Sequence, residues 1–82
     1  MQVKVVLFGM LRERLAKESR GRLVVELPQS ATITDLVATL GIQAPVVCSL
    51  NGVIERDFNR TLQEGDEAQI FQPAGGGSGL YS

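Results

Sequence analysis

The chain has 82 residues, 44% of them hydrophobic and 21% charged, with a formal net charge of −1. That is one small globular domain, which buries roughly 60–65% of its unfolded surface. With no histidine and one cysteine, Cys48, it excludes His/Cys metal sites, Ser-His-Asp and Cys-His nucleophiles and an internal disulfide framework.

No basic stripe and few aromatics are present, so no nucleic-acid partner is expected. Lys4 interrupts the first apolar run. That run is too short to span a bilayer, so neither a membrane partner nor a signal peptide is expected. A lone thiol fits a reducing cytoplasm.

In chain order, residues 2–8 (QVKVVLF) alternate as a strand, with Val3, Val5 and Leu7 on one face. Gly9 ends the run. MLRERLAKESRG then spaces Leu11 and Leu15 four apart among charges, which predicts a short amphipathic helix closed near Gly21. Arg12, Glu13, Arg14, Lys17 and Glu18 form its solvated face. RLVVEL (22–27) is a second strand, stopped by Pro28. The length of the connection leaves it open whether the two strands run parallel or antiparallel.

SATITDLVATLG predicts the main helix. Thr32 is its N-cap, Asp35 the capping-box partner, and Ile33, Leu36, Val37 and Leu40 the buried stripe. Gly41 suits the stop and Pro45 forbids continuation. VVCSL (46–50) predicts a third strand, Asn51-Gly52 a tight hairpin turn, and VIE (53–55) the return. RDFNRTLQEGD is an irregular connection anchored by Leu62, with a turn at Glu64-Gly65-Asp66. EAQIF (67–71) is the last strand. A mixed sheet packed on one helix is the simplest way to bury that helix's stripe.

Cys48 lies in an apolar strand and reads as a small buried hydrophobe. A persulfide-carrying thiol needs an exposed thiolate near positive charge. In the last strand, Ala68 and Ile70 face the helix. Alternation therefore sends Phe71 outward, as a candidate docking residue on the open sheet face.

Beyond Phe71 come Gln72, Pro73 and Ala74, then Gly75, Gly76 and Gly77. A flexible Gly-rich tail (72–82) therefore follows a folded domain (1–71). Glycines without Cβ thread a narrow channel and leave a terminal carbonyl unhindered. The reach from Phe71 to Gly77 is roughly 20 Å at about 3.3–3.6 Å per residue. That is enough to place a terminal carboxylate inside a partner's active site, and ATP could activate it there as an acyl-adenylate.

Three stretches resemble the ubiquitin-like β-grasp sulfur carriers, most of all the small subunit of molybdopterin synthase. VVLFGMLRE (5–13) is similar to that family's first strand and its Leu-Arg-Glu helix start. ATITDLVATL (31–40) is similar to its main helix. LQEGDEAQIFQPAGGG (62–77) is similar to its Leu-x-x-Gly-Asp-Glu turn, last strand and diglycine end. The thiamin-thiazole sulfur carrier is similar over the last stretch but lacks so long a segment after the first strand.

The resemblance implies an α+β fold, a β-grasp with four to five strands on one main helix. It implies that Gly77 is adenylated by a ubiquitin-activating-type adenylyltransferase and becomes a thiocarboxylate. The sulfur is then donated inside a synthase large subunit, foremost for molybdopterin (molybdenum cofactor). Thiamin, cysteine or tRNA thiolation are the alternative destinations. Phe71, Pro73, Gly75 and Gly76 are implied as the docking surface. The chain itself is then a protein substrate or small subunit. It binds no cofactor, and ATP is used by the activating partner.

Two departures stand out. Gln72 replaces a proline common in the synthase subunit. SGLYS (78–82) locks Gly77 in a peptide bond. Three accounts are open: a processing protease trims after Gly77, the chain is a β-grasp binding module without carrier chemistry, or the extension is foreign sequence.

Overall fold

The computed structural model describes residues 1–73. Five strands form one sheet: β1 (Gln2–Leu7), β2 (Arg22–Glu26), β3 (Val47–Leu50), β4 (Val53–Glu55) and β5 (Glu67–Phe71). Their spatial order is β2-β1-β5-β3-β4. β1 and β5 are parallel at the centre, and all other neighbours are antiparallel. Among the described residues one α-helix, α1 (Ile33–Thr39), lies against one face. A mixed sheet of five strands on one helix is an α+β, ubiquitin-like β-grasp, as the sequence implied.

Alternation positions the core. Val3, Val5 and Leu7 from β1, Ala68 and Ile70 from β5, and Cys48 and Leu50 from β3 point inward onto Ile33 and Leu36. Each fully buried aliphatic side chain contributes about 1.5–3 kcal/mol. Val37 and Leu40 are half-buried at the edge of this cluster.

The helix starts as its sequence dictates. The Asp35 amide donates to Thr32 Oγ1 at 3.2 Å, and the Thr32 amide donates to Asp35 Oδ2 at 2.9 Å. The connecting segment supplies further acceptors. Ile33 N–H donates to the Arg60 carbonyl and Thr34 N–H to the Phe58 carbonyl, at 3.3 and 3.0 Å. The irregular stretch after β4 therefore satisfies the helix's open amides, while Leu62 anchors it at 2% exposure. At the other end, Ile42 N–H donates to the Val37 carbonyl and Gly41 N–H to that of Ala38. That is a Schellman stop, with Gly41 at φ 75°.

Asn51 and Gly52 both take positive φ, 51° and 89°, the geometry of a tight hairpin. Asn51 also reaches sideways. Its Oδ1 accepts from the Glu67 amide and its Nδ2 donates to Asp66 Oδ1, which joins the hairpin to the start of β5.

The amphipathic helix expected over residues 10–21 does not form. Two 3-10 segments, Gly9–Arg14 and Lys17–Ser19, take its place. Leu11 is buried, Leu15 is half-buried, and no third apolar residue continues the stripe. A nucleus this short is not favoured without packing. The chain must also return at once to pair β2 antiparallel with β1. It does so through left-handed Arg20 and Gly21, whose carbonyl accepts the Leu7 amide at 2.7 Å.

Candidate functional site

The candidate site is the face of the sheet opposite α1. The strand registers place Val6 between Arg22 and Gln69, Ser49 between Gln69 and Ile54, and Val47 beside Phe71. Phe8 N–H donates to the Ile70 carbonyl at 3.1 Å, which extends the parallel β1–β5 ladder one residue past β1. That bond sets Phe8 against Phe71, edge to face, with ring centroids 6.1 Å apart and planes at 85°. Such a pair is a favoured aromatic geometry. Within the pair Phe71 is half-buried, and Phe8 remains 41% exposed. Ile54 and Val24 add exposed apolar surface on the same face.

Phe71 is thus where alternation placed it. Phe8 is the residue the sequence reading missed as a partner for it. Its even position in an odd-inward strand was the available signal. Pro73 is exposed, two residues past the end of β5. Gly75, Gly76 and Gly77 lie outside the described residues. β5 itself is the middle strand, so the segment that leads to these glycines starts from the centre of the sheet.

Cys48 is fully buried, and its thiol lies 3.8 Å from the Ser49 carbonyl oxygen. Burial first, and the nearby Glu55 carboxylate second, push its pKa up to about 11. About one molecule in a thousand then carries a thiolate at pH 8, a poor nucleophile population. We expect an aromatic disulfide reagent at pH 8 to label Cys48 far more slowly in the native chain than in denaturant. Equal rates would contradict the buried thiol. Because the folded pKa is raised, this group's stabilising contribution is complete below the unfolded thiol value near pH 8.5. It is lost as the pH rises towards 11.

Among the described residues no three His, Cys, Asp or Glu side chains are grouped to hold a metal ion. No helix there is long and apolar enough to cross a membrane.

A mixed five-stranded sheet with β5 at its centre, packed on one helix, defines the class of ubiquitin-like β-grasp proteins. The ThiS family model matches residues 5–77, and the chain belongs to that family. The match begins within β1 and ends on Gly77.

Solved structures agree on the fold. Molybdopterin converting factor subunit 1 from Pyrococcus furiosus superposes with a TM-score of 0.74 at 22% identity, over 90% of this chain and 99% of that one. Small archaeal modifier protein 1 from Haloferax volcanii gives 0.72 at 18% identity, over 89% and 98%. A chain from the complex of molybdopterin-converting factor subunits 1 and 2 of Helicobacter pylori 26695 gives 0.64 at 21% identity, over 94% and 100%. No curated protein is a significant sequence match.

Proposed function

We propose that the chain carries sulfur on the carboxylate of Gly77, after removal of the residues that follow it. Family membership over residues 5–77, ending on that glycine, is the observation that carries this reading. An ATP-dependent adenylyltransferase of the ubiquitin-activating type would convert the carboxylate to an acyl-adenylate with release of pyrophosphate. Hydrosulfide would then displace AMP to leave a thiocarboxylate.

The chain's own part is to dock and to deliver. The Phe8–Phe71 pair and the adjoining apolar residues offer the docking face. The hydrogen-bonded β5 holds the base of the segment that reaches into the partner. Carrier chemistry on a backbone carboxylate needs no ionised side chain, which accords with a buried, protonated Cys48.

The foremost recipient is a synthase large subunit that makes molybdopterin. The Helicobacter pylori relative is a complex of subunits 1 and 2 of molybdopterin-converting factor, which supports a partner of that kind. A cytoplasmic setting and a processing protease belong to the same proposal.

The test is the intact mass of the protein isolated from its own host. The expected species ends at Gly77, and a fraction is heavier by the difference between one sulfur and one oxygen. Protein that keeps residues 78–82 even when the activating enzyme is present would overturn the carrier reading. It would favour a β-grasp binding module.

A further inference from the structure

Beside the aromatic pair, the open face changes character. Arg12, Arg20 and Arg22 converge with Phe8 on a shallow groove of about 180 Å³ that runs over Val6 and Gln69. All three arginines are exposed. Among the described residues, the ion pairs are the N-terminus with Glu26 and Arg60 with Glu55, so none of the three is neutralised within 4 Å. Glu67 shares the groove without forming such a pair with any of them.

The backbone adds a second observation. Arg20 sits at φ 57°, ψ 34°, in the left-handed region, directly before left-handed Gly21. That conformation is unfavourable for a long side chain and favours glycine or asparagine. The turn needs the conformation; it does not need an arginine. Backbone strain carried by a residue with a poorly suited side chain is a pointer to a role for that side chain.

We infer that Arg12, Arg20 and Arg22 form the charged rim of the docking face and receive an acidic segment of the protein partner. An apolar aromatic centre with a charged rim is the usual anatomy of a protein–protein interface. The planar guanidinium matches carboxylates bidentately. A phosphate backbone is the poorer fit. The chain's net charge is −1, Glu67 lies within the cluster, and the apolar Phe8 borders it. The rim would set the association rate and the choice of partner more than it sets the total affinity. This rests on the carrier reading only for which protein brings the acidic segment.

Two titrations of the full-length chain test it. In the first, the ¹⁵N-labelled chain is titrated with a short peptide in which Asp and Glu flank one leucine. Amide shifts should gather at residues 8, 12, 20, 22 and 69, weaken with salt, and lose about tenfold in affinity in Arg22→Glu. Shifts that are absent, scattered, or unchanged in that variant overturn the inference.

The second titration uses the host's activating enzyme with Arg20→Asn. Relief of the left-handed strain should raise Tm by about 2–4 °C. Affinity should fall about fivefold. A variant that binds as well as the parent, or one that loses Tm along with affinity, makes Arg20 structural and overturns its role. If the parent chain fails to bind the activating enzyme, the carrier reading falls, and the peptide titration still decides the acidic docking on its own.

Discussion

A chain that ends at Gly77 should release pyrophosphate from ATP in the presence of its activating enzyme, and a chain that continues through Ser78 should release none above background. The difference is chemical. A carboxylate oxygen can attack the α-phosphate of ATP, whereas the Gly77–Ser78 peptide carbonyl is a resonance-stabilised amide with no free anionic oxygen. Pyrophosphate exchange reads the difference directly. Equal exchange by the two forms would mean that the reactive carboxylate is elsewhere.

Within the trimmed form, Gly77→Ala should fold as the parent does. It should lose about 10²-fold in kcat/KM for adenylation, because a Cβ in a narrow channel displaces the reacting carboxylate by a fraction of a bond length or more. Unchanged turnover would remove the threading argument and leave docking by the sheet as the whole of recognition.

The second large effect is on stability. Gly21→Ala should cost roughly 3–4 kcal/mol and lower Tm by about 15–20 °C. A Cβ built at Gly21 would lie 2.5 Å from the Leu7 carbonyl oxygen and 3.0 Å from Arg12 Cγ. The side-chain neighbour can shift. The Leu7 carbonyl is main chain at the end of β1 and cannot do so cheaply, because the Leu7 amide is bonded to Gly21's own carbonyl. The left-handed φ of 79° adds its own penalty. For a domain of this size the total is a large part of the whole, since net stability is roughly 0.05–0.15 kcal/mol per residue.

Gly52→Ala is the control. Its φ is also positive, but nothing lies within 4 Å of the added carbon. It should cost about 1 kcal/mol. Equal losses by thermal denaturation in the two variants would show that strain acts at both sites and the clash at neither.

What could be read from the sequence divides along local and non-local lines. The Thr32–Asp35 capping box, the Asn51-Gly52 turn and the burial of Cys48 follow from residues a few positions apart, and the structure places each as expected. Leu62 was legible as an anchor, though not that its neighbours Phe58 and Arg60 supply carbonyls to the helix's open amides.

Residues 10–21 misled because two leucines four apart fit an α-helical turn, yet with no further apolar residue they do not hold a longer α-helix against two short 3-10 segments. The antiparallel return into β2 decided between them. The outward position of Phe71 was legible from alternation within one strand. Its contact with Phe8 was not, because it depends on β1 and β5 lying side by side and parallel across some sixty residues of chain. The arginine groove was hidden for the same reason. Arg12 read as part of a solvated face, and nothing local ties it to Arg20 and Arg22 until the turn at Gly21 gathers the three beside Phe8.

The placement of β5 has a mechanical consequence. The strand is bonded along both edges, parallel to β1 and antiparallel to β3. Traction on the chain beyond Pro73 acts along the strand axis, so it shears both ladders at once instead of peeling bonds singly. Resistance of that kind is governed by the unfolding rate. A motor that grips the segment past residue 73 would meet a strand held along both edges first. A peptidase cutting past Gly77 would act on chain beyond the last strand, which ends at Phe71, and remove no residue of either ladder. Tension and cleavage at the same terminus thus act on different parts of the chain, the first on the middle of the sheet and the second on residues outside its strands.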